Sequence, residues 1–250
     1  MILLTKESSS YNEISVYEAT QLYGELGKFR YLQFADGAVQ GALDLKQPKR
    51  MVLEYPRAMA HLMEYNHSSF SSLFVIGHGI GTIAGRYPDK RVTVAEIDET
   101  VVQLSRRFFG YSGDNVVIGD GRQMLESVPP GSLDYIVLDA FTAKGTPMHL
   151  LSAECFAMTK EKLRAGGAIL LNLMGKGGSD RLINAIYSTL AETYACTKAF
   201  VLQGEGSDKT EWHNVILIAG SRDMDYRLPD MAGFREMEPE QGYLIVDRKT

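Results

Sequence analysis

From Ser72 onward the chain alternates short apolar runs with amphipathic segments, and this rhythm limits the fold more than any other feature of the sequence. Leu73-Phe74-Val75-Ile76, Val92-Thr93-Val94-Ala95, Asn115-Val116-Val117-Ile118, Tyr135-Ile136-Val137-Leu138 and Ala168-Ile169-Leu170-Leu171 are too short for helices and suit strands buried on both faces. Helical spacing fills the gaps, as in Val101, Leu104, Ser105 and Phe108, in the stretch from about Leu150 to Leu163, and in Leu182, Ile183, Ile186, Leu190 and Tyr194. Such alternation predicts an α/β fold built on a doubly wound, mostly parallel sheet. Two last apolar runs, about Cys196 to Leu202 and Asn214 to Ala219, flank a polar loop, Gly204 to Glu211, in place of a helix. They predict an antiparallel pair that closes the sheet.

The chain ahead of this region reads differently. Ile14 to Tyr17, Phe29 to Phe34 and Val39 to Leu43 are short and turn-rich, and Asp36-Gly37 between the last two is a strong hairpin signal. The expected organisation is a β-hairpin unit over 1–53, an α/β domain over 54–221 that opens with a helix near Pro56 to Tyr65, and an extension over 222–250 without an assigned structure. Its aromatic residues, Tyr17, Tyr23, Phe29, Tyr31 and Phe34, read as core or subunit contact, since only Lys28 and Arg30 lie among them.

Composition narrows the partners. Lys and Arg number 26 against 31 Asp and Glu, with no run of five like charges, which argues against nucleic acid or an anionic membrane surface. Cys155 and Cys196 are far apart and lack His or Cys companions at ligand spacing, so no metal site is expected. Ile2-Leu3-Leu4 runs at once into Lys6 and Glu7, too short an apolar core for a signal peptide, and no apolar stretch reaches membrane-spanning length. A cytoplasmic protein is the expectation.

In open α/β sheets, ligands bind at the carboxyl ends of the strands, and polar residues of particular kinds fall there. The first strand runs into Gly77-His78-Gly79-Ile80-Gly81, where Gly77, Gly79 and Gly81 would let backbone approach a bound group at a helix N-terminus. Glu96, 19 residues beyond Gly77, can accept both hydrogen bonds of a ribose diol. The third strand ends in Gly119-Asp120-Gly121, with Asp120 suited to an adenine amino group, and the fourth in Asp139. A glycine loop and acids on successive strand ends fit an adenosyl-binding site better than a nicotinamide site. Asp98 precedes a helix and reads equally well as an N-cap.

These motifs resemble the polyamine aminopropyltransferases, the spermidine and spermine synthases, from about Tyr11 to Ser221. Tyr11-Asn12-Glu13-Ile14-Ser15-Val16 is similar to the family's opening strand, with Asn12 where Gln is usual, and Asp36 to Gln40 matches its DGxxQ. Glu54 to His61 resembles its YxExxxH segment, Gly77 to Gly81 its GGGDGG loop, Ala95 to Asp98 its VEID and Gly119 to Gly121 its GDG, with Asp139 the first acid of its DxxD loop. The resemblance implies a class I S-adenosylmethionine-dependent methyltransferase-like fold. It also implies a cytoplasmic homodimer joined through the N-terminal region, and a co-substrate, decarboxylated S-adenosylmethionine or S-adenosylmethionine, without a metal. By the same likeness Gln40, Gly77, Gly79, Gly81, Glu96, Asp120 and Gly121 bind the nucleoside, and Asp139 is the catalytic base. The resemblance likewise implies that Tyr55, His61, Thr142 and Trp212 contact a small-molecule amine.

Departures from the family pattern bear on the reaction. Ile80 stands where the glycine loop has an acid, Thr142 replaces the second acid of the DxxD loop, and Arg57 stands where the family has Glu. An amine pocket with one carboxylate in place of several binds a diamine less strongly. Ile80 does not repel the carboxylate of intact S-adenosylmethionine, so methyl transfer and aminocarboxypropyl transfer stand as alternatives to aminopropyl transfer, with a catalytically silent nucleoside-binding relative as a further one. His78, Lys144 and His149 are candidate partners for an acidic substrate group.

Overall fold

A computed structural model describes residues 1–142, 145–176, 179–203 and 212–248. Its first four strands, β1 (Ile2–Ser8), β2 (Glu13–Leu22), β3 (Glu25–Phe34) and β4 (Val39–Asp44), form one antiparallel sheet in chain order. The Asp36-Gly37 turn joins β3 to β4, with Asp36 Oδ1 accepting from the Ala38 amide at 2.9 Å. Strand β1 was not foreseen. It is an edge strand whose Ile2, Leu3 and Leu4 stay exposed, so it lacks the buried alternation that marks its neighbours.

A second sheet follows after α1 (Glu54–Asn66). Its elements are β5 (Ser72–Ile76), α2 (Thr82–Arg86), β6 (Arg91–Glu96), α3 (Glu99–Phe109), β7 (Val116–Ile118), α4 (Gly121–Glu126), β8 (Leu133–Leu138), α5 (Ala153–Lys162), β9 (Leu163–Gly175), α6 (Arg181–Thr193), β10 (Cys196–Leu202), β11 (His213–Gly220) and β12 (Phe234–Met237). The strand order is β12-β10-β11-β9-β8-β5-β6-β7, with β5 to β9 pairing in parallel and β10, β11 and β12 antiparallel. The expected α/β class is therefore observed, and so is the closing antiparallel pair. All residues of β5 and β8 are buried, because helices cover both faces. One core lies against α5 and α6, around Phe156, Leu171 and Ile186, and the other against α1 and α2, around Leu62, Val75 and Ile83.

Two features of this arrangement position the site. After β5 the chain moves outward to β6 and β7, then returns to place β8 on the other side of β5. The loops leaving β5 and β8 thus part from a common switch point, where such sheets open a crevice. The N-terminal sheet is fastened beside it: Ile80 of the glycine loop packs with Ile14, Val16 and Leu32 of that sheet and with Val101 and Leu104 of α3. Ser9 donates to Asp98 Oδ2 at 2.5 Å, while Asp98 Oδ1 caps α3 through the Thr100 amide.

The extension without an assigned structure has a definite course. It passes behind α1, where the Arg222 guanidinium donates to the Asn66 carbonyl at 2.8 Å, and adds β12 to the sheet edge. It then crosses the opposite face, where the Ile245 amide donates to Thr189 Oγ1 at 3.0 Å and Asp247 pairs with Arg122 at 2.6 Å. Its own sequence is poor in apolar periodicity, because its bonds go to side chains and backbone of other elements.

Candidate active site

The glycine loop and the end of β8 meet at the switch point. Gly77 has φ of 97°, and a Cβ on it would come within 2.1 Å of the Asp139 carbonyl oxygen. Only glycine lets the two loops approach this closely. The Asp139 amide donates to the Ile76 carbonyl at 2.8 Å, which holds the first residue beyond β8 in register with β5. Gly79 and Gly81 continue the loop in left-handed conformation, and the Gln40 carbonyl of β4 faces Gly79.

A small pocket opens here, lined by Gln40, Tyr55, Gly77, His78, Ile80 and Asp139 among others. Its free space is about 10 Å³, room for about one water-sized group. Asp139 is half-buried. It accepts from Asn172 Nδ2 at 2.8 Å and from the Tyr55 hydroxyl. Burial pushes its pKa up, against the pull of those two donors. Tyr55 stands in the first turn of α1, and burial together with the Asp139 charge pushes its hydroxyl well above the usual range.

Behind Asp139 a chain of amides crosses the strand ends. Asn214 of β11 donates to Asn172 Oδ1 at 3.0 Å, which orients the Asn172 amide so that its nitrogen faces Asp139. Neither asparagine was singled out from the sequence. The signal was there in Asn172, a polar residue interrupting the apolar run of β9 at the strand's carboxyl half, where it is 1% exposed.

The nucleoside-side acids lie along the same edge. Glu96 is buried at the end of β6, and its two oxygens accept from the His78 amide at 2.8 Å and the Asp98 amide at 2.9 Å. Burial raises its pKa, opposed by those backbone donors. Asp120 caps α4 through the Arg122 and Gln123 amides, each at 3.0 Å, and its other oxygen lies 2.8 Å from His149 Nε2. Burial would raise its pKa, but these donors and His149 hold it below the ordinary value. His149 therefore contacts an acid of the protein itself, while Lys144 lies outside the described residues. Gly121 answers to packing: a Cβ there would lie 2.3 Å from Ile76 Cγ2.

Three expected substrate contacts do not line the pocket. His61 lies almost two turns beyond Tyr55 on another face of α1, where its Nε2 accepts from the Arg227 amide at 3.0 Å and its ring faces Tyr65. Thr142 forms a tight turn, with its hydroxyl on the Gly145 carbonyl at 2.8 Å. Trp212 is 60% exposed, with Lys176 Nζ 5.8 Å from its ring centre. Among the described residues no group of three or more His, Cys, Asp or Glu could hold a metal ion, and no helix is long and apolar enough to cross a membrane.

The architecture is that of class I methyltransferase-like α/β proteins with a small antiparallel sheet added at the N-terminal side. Residues 52–176, half of the chain, match the spermine/spermidine synthase domain, and the chain belongs to that family. A spermidine synthase of Coffea arabica is 28% identical over 178 residues, 67% of this chain and 52% of that protein. Putrescine N-methyltransferase 1 of Nicotiana tabacum is also 28% identical over 178 residues, covering 44% of its length. The chain thus spans about half the length of these relatives. Among solved structures, a probable spermidine synthase from Corynebacterium glutamicum superposes with a TM-score of 0.75 at 22% identity, over 88% of this chain and 80% of that one. A spermidine synthase in complex with the transition state analogue AdoDATO gives 0.70 at 14% identity, over 92% and 83%.

Proposed function

We propose that this protein transfers an aminopropyl group from decarboxylated S-adenosylmethionine to a small amine, with Asp139 as the general base. The observation that carries the reading is the setting of Asp139: a carboxylate at the switch point, pushed up in pKa and oriented by Asn172 and Tyr55, facing a pocket beside the glycine loop. A carboxylate more basic than usual is suited to accepting a proton near neutrality. The acceptor nitrogen attacks the methylene next to the sulfonium, the carbon–sulfur bond breaks, and methylthioadenosine leaves as a neutral thioether. The proton lost by the acceptor passes to Asp139. Glu96 and Asp120 would take the ribose and adenine, with the three loop glycines and Gln40 around the donor's sulfur end.

Family membership and the AdoDATO complex of the structural neighbour support this reading. Methyl transfer is the second reading, favoured by Ile80 in the loop and by the equal likeness to a putrescine N-methyltransferase. Calorimetric titration with both sulfonium donors and methylthioadenosine, followed by mass spectrometry of products from a panel of amines, tests the two. Aminopropylated product supports the first, and methylated product made from intact S-adenosylmethionine replaces it with the second. The reading also includes a cytoplasmic homodimer joined through the N-terminal sheet, whose β1 exposes Ile2, Leu3 and Leu4. A monomeric mass in sedimentation would remove the dimer from it.

A further inference from the structure

Asp120 is tied to the last described segment of the chain, a connection that the proposed reaction leaves unused. Although burial would raise its pKa, its donors hold Asp120 below the ordinary value, so the group is ionised and its oxygens only accept. An ionised carboxylate has about four acceptor positions, two on each oxygen. The Arg122 and Gln123 amides, each at 3.0 Å, take both positions on Oδ1, and His149 Nε2 takes one on Oδ2 at 2.8 Å. That nitrogen therefore carries the imidazole proton. Among the described residues one position on Oδ2 is left over, and the Asp120 side chain is still 21% exposed, so a ligand can reach it. One free acceptor position matches one N–H of an exocyclic amino group.

The His149 side chain is 47% exposed and by itself would turn freely, but its main chain is held. Arg122, two residues beyond Asp120, donates through Nη1 to the His149 carbonyl at 2.8 Å. The same guanidinium forms a fork with Asp247, Nη1 to Oδ1 at 2.9 Å and Nη2 to Oδ2 at 2.6 Å. Such two-pronged pairs fix direction as well as distance. With the Ser152 hydroxyl, the Arg122 guanidinium pulls the Asp247 carboxyl down to about 2, so the fork is fully charged at neutral pH. Asp247 is itself seated: its amide donates to Glu154 Oε2 at 2.9 Å, the Ile245 carbonyl accepts from the Ala153 amide at 2.8 Å, and Ile245 is buried in the core against α5 and α6. One guanidinium thus joins α4, the loop after β8 and the segment 238–248.

Resting on the reading that Asp120 takes the adenine, we propose that His149 and Asp247 are positioning residues for recognition of the base. Asp247 fixes the Arg122 fork, Arg122 fixes the loop at His149, and His149 fixes the plane of the Asp120 carboxylate so that its one free position meets the amino group. The segment 238–248 belongs to the site in this sense, although none of its residues lines the pocket beside the glycine loop.

The test compares two ligands that differ at a single group: methylthioadenosine and its 6-oxo counterpart methylthioinosine, which presents an acceptor where the amino group was. By calorimetry on the full chain, the wild type is expected to bind methylthioadenosine about tenfold more tightly, because two acceptors repel. His149→Ala is expected to narrow that ratio to about threefold and Asp247→Ala to about fivefold, through weaker binding of methylthioadenosine. The double variant should match His149→Ala alone, because Asp247 acts through His149. An unchanged ratio in the single variants, with both affinities lowered together, shows a packing role and overturns the proposal. A double variant whose loss is the product of the two single losses overturns it too. Should Asp247→Ala fail to fold, Asp247→Asn, which keeps an acceptor for Nη1 and removes the charge, is expected to narrow the ratio in its place, and an unchanged ratio there has the same force. Parity between the two ligands in the wild type would overturn the adenine reading itself, a result distinct from discrimination that survives the substitutions.

Discussion

Asp134 and Asp139 stand at the two ends of β8, and the fold treats the same side chain in opposite ways. Asp134 is 3% exposed and held by the Ser71 and Ser72 amides, the Ser72 hydroxyl and Arg164. Burial alone would raise its pKa, but these donors bring it below the ordinary 3.8. Among the described residues Asp139 has two neutral donors, Asn172 and Tyr55, and burial wins: its pKa rises above 3.8. A carboxylate surrounded by donors and a cation is an anchor, poor as a base. One with few donors keeps its affinity for a proton, which is what proton transfer requires. On the proposed reading, the contrast separates a structural end of the sheet from a chemical one.

The contrast breaks most sharply if Asp139 is neutralised. Asp139→Asn is expected to lower kcat by about 10²- to 10⁴-fold, as for loss of a general base, while the melting temperature stays level or rises. An activity loss under tenfold would mean that the two aspartates do not differ in role. Asp134→Ala should do the reverse, costing about 3–5 kcal/mol of stability because Ser71, Ser72 and Arg164 lose a buried partner. Turnover per folded molecule should stay near wild type. Denaturant titration paired with active-site counting checks both halves.

The pH dependence of stability sharpens the same comparison through opposite signs. Asp139 has a raised folded pKa, so its contribution is full below 3.8 and is lost as pH rises through the folded value. Asp134 has a lowered one, so its contribution is full above 3.8 and is lost as pH falls through the folded value. Measured by denaturant midpoints between about pH 3 and pH 7, Asp139→Asn should gain on the wild type as pH rises. The deficit of Asp134→Asn should shrink as pH falls. Parallel curves for the two variants would remove the distinction.

What the sequence revealed follows the same division. Residues set by the backbone path were legible: Gly77, Glu96, Asp120 and Asp139 fall on successive strand ends, and a parallel sheet brings those ends to one edge. Their partners were not. Asn172 and Asn214 come from β9 and β11, distant in sequence and joined only by the antiparallel closure of the sheet. His61 lies on another face of α1 from Tyr55, because helical phase, not nearness in sequence, decides which side chains share a face. The course of residues 222–248 carried no periodic signal, since that segment is held by contacts such as Arg122 with Asp247 and not by a core of its own.

The finest test lies in how Asp139 is kept apart from Asp134 in character. Asn172 donates to Asp139 and so lowers its pKa, and Asn214 fixes which end of the Asn172 amide does so. Asn172→Leu is expected to reduce kcat/KM about tenfold and to move the acid limb of its pH profile upward, because Asp139 loses a donor that stabilises its charge. Asn214→Leu leaves that donor in place but free to turn its oxygen toward Asp139, where two acceptors would repel. The expected loss is about threefold, with the acid limb displaced in the same direction by a smaller step. Because Asn214 makes its bond to Asn172 and not to Asp139, a lower kcat/KM without a moved limb would show a packing role only, and a moved limb would show that orientation passes along the amide chain to the base.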